Sequence, residues 1–397
     1  MKKNYVLLTV VALTGLTVLH SCKKEKSATE VLKEDFVSPK GYVSQFKGMK
    51  RLPNETIKIN VSDPATLKNL AGLHKKNTLE VESQTGNTLF MRSTEIPAIN
   101  NSVRQVIYLG AIVKATDLGD ITKIVPVLTT TAERNPITIY ADFPTDSISR
   151  VIKSPSPNSD KSYIRAALKA GSGKQLSSFR FQMESFKKNE ELKLAFRANV
   201  NIGGLLNITA LDSSKFSQKK TSVRVEFTQE NFAVNIEPPI EQPFLKDPIN
   251  KNKFGDNDPL IVSSIVYGRK GIMTIESDSS YSSVTQMLNI VLKAPISKLV
   301  EAADKVAGND TASLGVTLGM TKEQIKTLQT SVMKVYIIGV NGDQIFKVVQ
   351  GLTGFTDILA GGGIFSPESP GVPLYYTLNY LSDFAPYWNK FQVTVTK

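Results

Sequence analysis

A single cysteine, Cys22, occurs in 397 residues. No disulfide can form within one chain, and there is neither a CxxC pair nor a thiol left over as a nucleophile. Histidine is almost as scarce: His20 lies in the amino-terminal apolar region and His74 is the other. A His-based triad and a multi-His metal site are therefore excluded. The chain has no Walker loop, GxSxG, HExxH or EF-hand loop, so an enzyme reading has no residues to rest on, and neither a cofactor nor a metal is expected. Gly361-Gly362-Gly363 follows a predicted short helix instead of opening one, and reads as a helix stop. Asp256, Asp258 and Glu241 share a polar loop but do not have the spacing of a calcium loop. Trp388, the one tryptophan, reads as packing. Acidic residues are outnumbered, 36 against 48 basic, for a formal charge of +12. The lysines are scattered and no nucleic-acid fold signature is present. The charge reads as solubility with a mild preference for anionic surfaces, and no nucleic-acid partner is expected.

What is present begins with Lys2 and Lys3, an apolar run over 5–19, and Leu19-His20-Ser21-Cys22. A basic n-region, a short h-region and a small residue before the cut make a secretory signal over 1–21. The run is too short for a membrane span. Cysteine directly after the small residue resembles a bacterial lipobox, which implies acylation of Cys22; an ordinary signal with an incidental Cys is the alternative. Residues 22–45 are polar at first and aperiodic, a tether.

The most informative stretch is 191–202. Its even positions are Leu192, Leu194, Phe196, Ala198, Val200 and Ile202; its odd positions are Glu191, Lys193, Ala195, Arg197, Asn199 and Asn201. Period-2 alternation predicts a strand with one apolar face. The length suits a tilted strand crossing a bilayer, and equally a half-buried strand of a soluble sheet. After Gly203-Gly204 the even phase resumes at Leu206 and Ile208. Further strands are expected at 56–61, 88–91, 103–109, 136–141, 178–186, 223–227, 232–236, 261–269, 271–275, 332–340, 373–380 and 391–395. Helices are expected at 160–171 with Asp160 as N-cap, at 280–293, at 296–307, from the Thr321-Lys-Glu-Gln324 capping box through 328, and at 355–360. Leu314, Val316, Leu318 and Met320 alternate with Ser, Gly, Thr and Gly.

Four segments then fall in a familiar order: Arg134-Asn-Pro-Ile-Thr-Ile-Tyr-Ala-Asp-Phe-Pro144, Val262-Ser-Ser-Ile-Val-Tyr-Gly-Arg269, Val335-Tyr-Ile-Ile-Gly339, and Pro370-Gly-Val-Pro-Leu-Tyr-Tyr-Thr377 with Leu381-Ser-Asp383. Together they resemble the cholesterol-dependent (thiol-activated) cytolysins of the membrane-attack-complex/perforin superfamily, over about 100–397. The resemblance implies an α+β fold: an elongated body whose bent, twisted antiparallel central sheet is flanked by helix clusters that convert to β-hairpins. By that pattern 46–75 and 385–397 are domain-2-like, 76–171, 233–275 and 348–384 domain-1-like, and 172–232 and 276–347 form the pore-forming region. The first inserting hairpin falls at about 192–220 and the second at about 296–332, with Leu314, Val316, Leu318 and Met320 facing lipid. The family's Gly pair, which lets a covering strand swing off a sheet edge, is half present, as Gly339-Val340; the hinge is then expected at Gly339 and Gly342. No match to the family's cholesterol-recognition domain is found, so direct cholesterol recognition is not expected. The function implied is that of an exported, lipid-anchored pore-forming component acting on a target membrane as a homo- or hetero-oligomer, with a longer receptor-binding homologue as partner. A stand-alone pore former and a surface lipoprotein that never inserts are the alternatives.

Overall fold

The structure is a computed structural model that describes residues 44–51, 56–72, 79–98, 101–115, 124–171, 178–187, 191, 193–196, 219–295, 298, 311–338, 346–350 and 365–396. In chain order, β1 (Thr56–Val61) leads into α1 (Pro64–Gly72), then β2 (Leu79–Thr85), β3 (Thr88–Ser93), β4 (Glu95–Pro97), α2 (Asn101–Val106), β5 (Ile112–Val113), β6 (Pro126–Val127), β7 (Ile137–Ala141) and β8 (Ser149–Ile152). Next come α3 (Pro157–Lys169), β9 (Ser178–Ser185), α4 (Lys193–Phe196), β10 (Thr221–Ile236) and β11 (Leu260–Ser277). The chain continues with α5 (Tyr281–Lys293), α6 (Thr311–Thr317), α7 (Lys322–Thr330), β12 (Val332–Ile338), β13 (Phe346–Gln350), β14 (Val372–Tyr380) and β15 (Asn389–Val395).

Two sheets organise these elements. The smaller has the order β1-β15-β3-β2. Its β1–β15 pair is parallel and the others antiparallel. Strict alternation in β1 buries Ile57, Ile59 and Val61 against Leu67 and Leu70 of α1. The larger sheet runs β13-β12-β11-β10-β7-β8, with β9 beside β10 and β14 beside β11. Among the described residues all its pairings are antiparallel. The fold is thus α+β with an antiparallel central sheet, as expected. The four quoted motifs land on β7, β11, β12 and β14 of this sheet, and the Leu381-Ser-Asp383 corner accounts for the rest. There Ser382 N–H and Oγ both donate to the fully buried Asp258 carboxylate, and Arg51 pairs with Asp258 and Asp383. Burial raises the Asp258 pKa, while the Ser382 and Arg51 hydrogen bonds pull the other way.

β10 and β11 run through two separate cores. Their upper halves pack in a large cluster with Tyr163, Ile164 and Leu168 of α3; their lower halves carry a second cluster. The β10–β11 ladder loses register between Glu230 and Phe232, and at that level the β11–β14 ladder loses it between Val266 and Tyr267, having shifted also between Val262 and Ser264. Gly268 sits there because a Cβ would lie 2.0 Å from the Gln229 carbonyl oxygen. Gly371, at φ +89°, closes onto the Gly268 backbone, where its own Cβ would approach to 2.8 Å.

Several expectations are corrected. Residues 101–106 form helix α2, where a strand was expected over 103–109; Val103, Ile107 and Leu109 are all buried, which the strand phase shared. The expected strands at 223–227 and 232–236 are one strand, as are 261–269 and 271–275. α3 is capped by Ser156, which accepts from Ser159 N–H, and starts at Pro157. Asp160 is buried inside it and accepts the Leu109 N–H at 2.8 Å. The Thr321 cap of α7 is observed as read, and α5 begins at Tyr281, with Ser280, read as its first residue, serving as the cap. The expected helices at 296–307 and 355–360 lie outside the described residues, apart from helical Lys298.

Candidate membrane-inserting region

β9, β10, β11 and β12 are consecutive neighbours in the lower half of the central sheet. Period-2 alternation sorts their side chains. One face carries Val223, Val225 and Phe227 of β10, Met273 and Ile275 of β11, and Met333 and Val335 of β12. Val284, Met287, Leu288, Val291 and Leu292 of α5 cover it, together with Leu318, Met320 and Leu328. The helical spacing of those five α5 residues is what one buried stripe requires.

The opposite face is polar yet buried. Glu184, Ser222, Arg224, Thr228, Lys270 and Thr274 are all buried there. Arg224 stands directly across from Glu184 and forms an ion pair with it, both side chains being 4 % exposed. Lys270 Nζ pairs with Glu226 at 2.6 Å and donates to Tyr375 Oη at 3.0 Å. A short segment lies over this face. Arg224 Nη1 donates to the Glu191 carbonyl at 2.9 Å, and Lys270 Nζ to the Ala195 carbonyl at 2.7 Å. The Glu191 carboxylate accepts the Ser62 N–H at 3.1 Å, and Leu194 packs against the core of the smaller sheet.

The strand expected from 191 onward is therefore helical in this state over Lys193–Phe196. Lys270 holds this turn through the Ala195 carbonyl, and Arg224 holds the residue ahead of it, Glu191; such tertiary bonds override a weak local propensity. Of the other residues read as facing lipid, Leu314 lies in α6, Val316 is 69 % exposed, and Leu318 and Met320 are buried under α5. Helix replaces the alternation read there too. Leu192, Ala198, Val200, Ile202, Leu206, Ile208 and Cys22 lie outside the described residues, as do Gly339 and Gly342. The last two fall in the connection between β12 and β13, an edge strand that pairs with β12 from Lys334↔Gln350 to Ile338↔Phe346. Sequence reasoning missed Arg224 and Lys270. Their only signal was charge in otherwise strand-like runs, and their partners Glu184 and Glu226 become apparent only with the register.

Among the described residues no helix is long and apolar enough to cross a membrane, which says nothing of strands that cross as a barrel. Among the same residues no group of three or more His, Cys, Asp or Glu is placed to hold a metal ion.

The thiol-activated cytolysin family model matches residues 44–387. The chain belongs to that family, which is not a family of enzymes. Listeriolysin O of Listeria monocytogenes is 26% identical over 197 residues, 48% of this chain and 32% of that protein. Ivanolysin of Listeria ivanovii is 23% identical over 357 residues, 82% of this chain and 61% of that protein. The chain thus spans less than two thirds of the length of these relatives. The crystal structure of the human-specific toxin intermedilysin superposes with a TM-score of 0.58 at 16% identity, over 87% of this chain and 71% of that one, which establishes the likeness of fold.

Proposed function

We propose that the chain is a pore-forming toxin component that assembles with neighbouring subunits and inserts two β-hairpins into a target membrane. One observation carries the reading: the register of the central sheet, continued past its lower end. β9 and β10 pair without a break from Ser178↔Glu230 to Ser185↔Val223. The same ladder extended brings Ala198 opposite Ala210, Val200 opposite Ile208 and Ile202 opposite Leu206, with Gly203-Gly204 at the turn. β10 and β11 end at Thr221↔Ser277, and β11 and β12 at Glu276↔Val332. Extended likewise, they complete three rungs: Ala198–Ala210–Leu288–Met320, Val200–Ile208–Ile290–Leu318 and Ile202–Leu206–Leu292–Val316. All twelve side chains are apolar and share one face. The intervening rungs are Asn199–Thr209–Asn289–Gly319 and Asn201–Asn207–Val291–Thr317, polar or small at every place but one. That is the out-and-in pattern of a membrane barrel. On the second hairpin the apolar face covers 288–296 and 312–320, close to the roughly 9–11 residues a tilted crossing strand needs.

The register also revises the second hairpin. Its descending arm is drawn from α5 and the residues just after it, in place of 296–307, whose own alternation is poor. Leu314, Val316, Leu318 and Met320 keep their lipid-facing role on the ascending arm.

Four strands in lipid leave two edges of unpaired backbone groups, each costing several kcal/mol. Closure by neighbouring subunits removes them, so the reading requires a ring of many chains. In the same proposal Gly339 and Gly342 are the hinge that frees the β12 edge by swinging β13 away. The chain acts outside the cell that makes it, held by acyl chains on Cys22, with a longer homologue supplying receptor binding. The three larger buried clusters support a division into three regions, with 79–93 joining 46–75 and 385–397 around the smaller sheet.

The test is dye release from vesicles, with and without a longer homologue. Val200→Asp and Phe196→Lys are expected to lower release at least tenfold. In a Cys22→Ser background, an environment-sensitive fluorophore on Ile290→Cys should report lipid and one on Asn289→Cys water. Full release by the Val200→Asp variant, or two fluorophores that both stay in water, would refute the proposal and favour a surface protein that never inserts.

A further inference from the structure

Arg224 and Lys270 have a geometry that the register argument leaves unused. Each makes two kinds of bond. The charge of Arg224 is met by Glu184 of β9, and that of Lys270 by Glu226 of β10. Their hydrogen bonds at 2.9 and 2.7 Å go instead to main-chain carbonyls of the overlying segment, at Glu191 and Ala195. Ala195 lies in the helical turn Lys193–Phe196, and Glu191 precedes it. A strand through the same residues would turn its carbonyls into the plane of a sheet, toward neighbouring strands. Both bonds therefore belong to the docked segment and are lost when it pairs as a strand.

The countercharges belong to the sheet and stay there. When the segment departs, Arg224 keeps Glu184 and Lys270 keeps Glu226. Stripping a buried charge of its partner is strongly unfavourable; at Arg224 and Lys270 the bonds that break go to neutral carbonyls, and the paired carboxylates stay in the sheet. Such bonds from charged donors are still stronger than neutral ones. The arrangement holds firmly yet lets go without stranding a charge. We propose that Arg224 and Lys270 are a two-point latch that sets when residues 191–196 leave the sheet, an inference that rests on the insertion reading above. Ser62 N–H on the Glu191 carboxylate adds a tie to the smaller sheet, so the latch senses movement between the two sheets as well.

Two paired variants of the full chain test it: Lys270→Met with Glu226→Gln, and Arg224→Met with Glu184→Gln. Each removes donor and countercharge together. Amide hydrogen exchange is read in solution without lipid. Protection over 191–196 should fall about tenfold or more while α5 is unchanged, and the lag before dye release from vesicles should shorten. Lys270→Arg, which keeps a charged donor, should restore most of the protection. The unaltered chain gives a reading free of folding defects. In low urea its amides over 191–196 should exchange through a local opening insensitive to urea, while those of α5 follow the denaturant. Exchange over 191–196 only through global unfolding, or unchanged protection in both variants, overturns the latch. Exchange as expected with vesicles that never leak keeps the latch and removes the pore. Leakage with an unchanged lag keeps the pore and removes the latch.

Discussion

Asp160 shows how a single residue can be misread from its neighbours. Read as an N-cap, it was expected at the start of a helix. It is instead 4 % exposed and bonded to the Leu109 N–H, and burial pushes its carboxyl pKa up to about 7. Ser156 takes the cap because Pro157, directly after it, suits the first helical turn. The raised pKa has a signed consequence. The folded state holds this proton more tightly than the unfolded chain, so its contribution is complete below about pH 4 and is lost as pH rises through about 7. Asp160→Asn keeps an acceptor for Leu109 and removes the titration. Unfolding free energies from urea titrations should then vary less between pH 4 and 7, by a difference on the order of 4 kcal/mol, since one pKa unit is worth about 1.4 kcal/mol. An unchanged pH profile would show that Asp160 does not titrate in this range.

Elements were legible where one period served one environment. β1 alternates strictly and spans the expected Thr56–Val61; α5 repeats at helical spacing and starts one residue after the expected position. The failures cluster where two periods fit one stretch. Residues 192–202 alternate for a strand, yet Lys193–Phe196 is a helical turn held by two cations from other strands. Val316, Leu318 and Met320 alternate, while residues 311–317 are helix α6. α5 hides a second pattern in the opposite sense: Leu288, Ile290 and Leu292 share strand parity inside a sound amphipathic helix. A one-residue period error is therefore a sharp tool. Inserting one Ser after Lys187 reverses which side chains of the first hairpin face lipid, and a second Ser restores the phase. Dye release should collapse with the single insertion and recover at least partly with the double one. Equal release from both would mean that the ladder of β9 and β10 does not set the hairpin's phase.

At the scale of the whole molecule, the order and identity of the four motifs were sufficient to place the chain in its family, because they lie on strands of one sheet whose pairing constrains each of them. The division of the chain was less legible: β2 and β3 join β1 and β15 across hundreds of residues, and no local composition marks such a return. Attachment to a surface belongs to this scale as well. Cys22→Ser is expected to move the exported chain from the membrane fraction to the supernatant, read by ultracentrifugation and blotting. An unchanged distribution would exclude acylation as the anchor.

The break in the β10–β11 ladder at Gly268 has a bearing on this larger scale. The ladder is offset by one residue there, Glu230 pairing with Gly268 and Phe232 with Tyr267, in the manner of an expansion joint between two spans. On the insertion proposal, torsion imposed on the lower span as its strands lengthen and meet those of an adjoining molecule would be taken up at the joint, leaving the upper span as a fixed abutment.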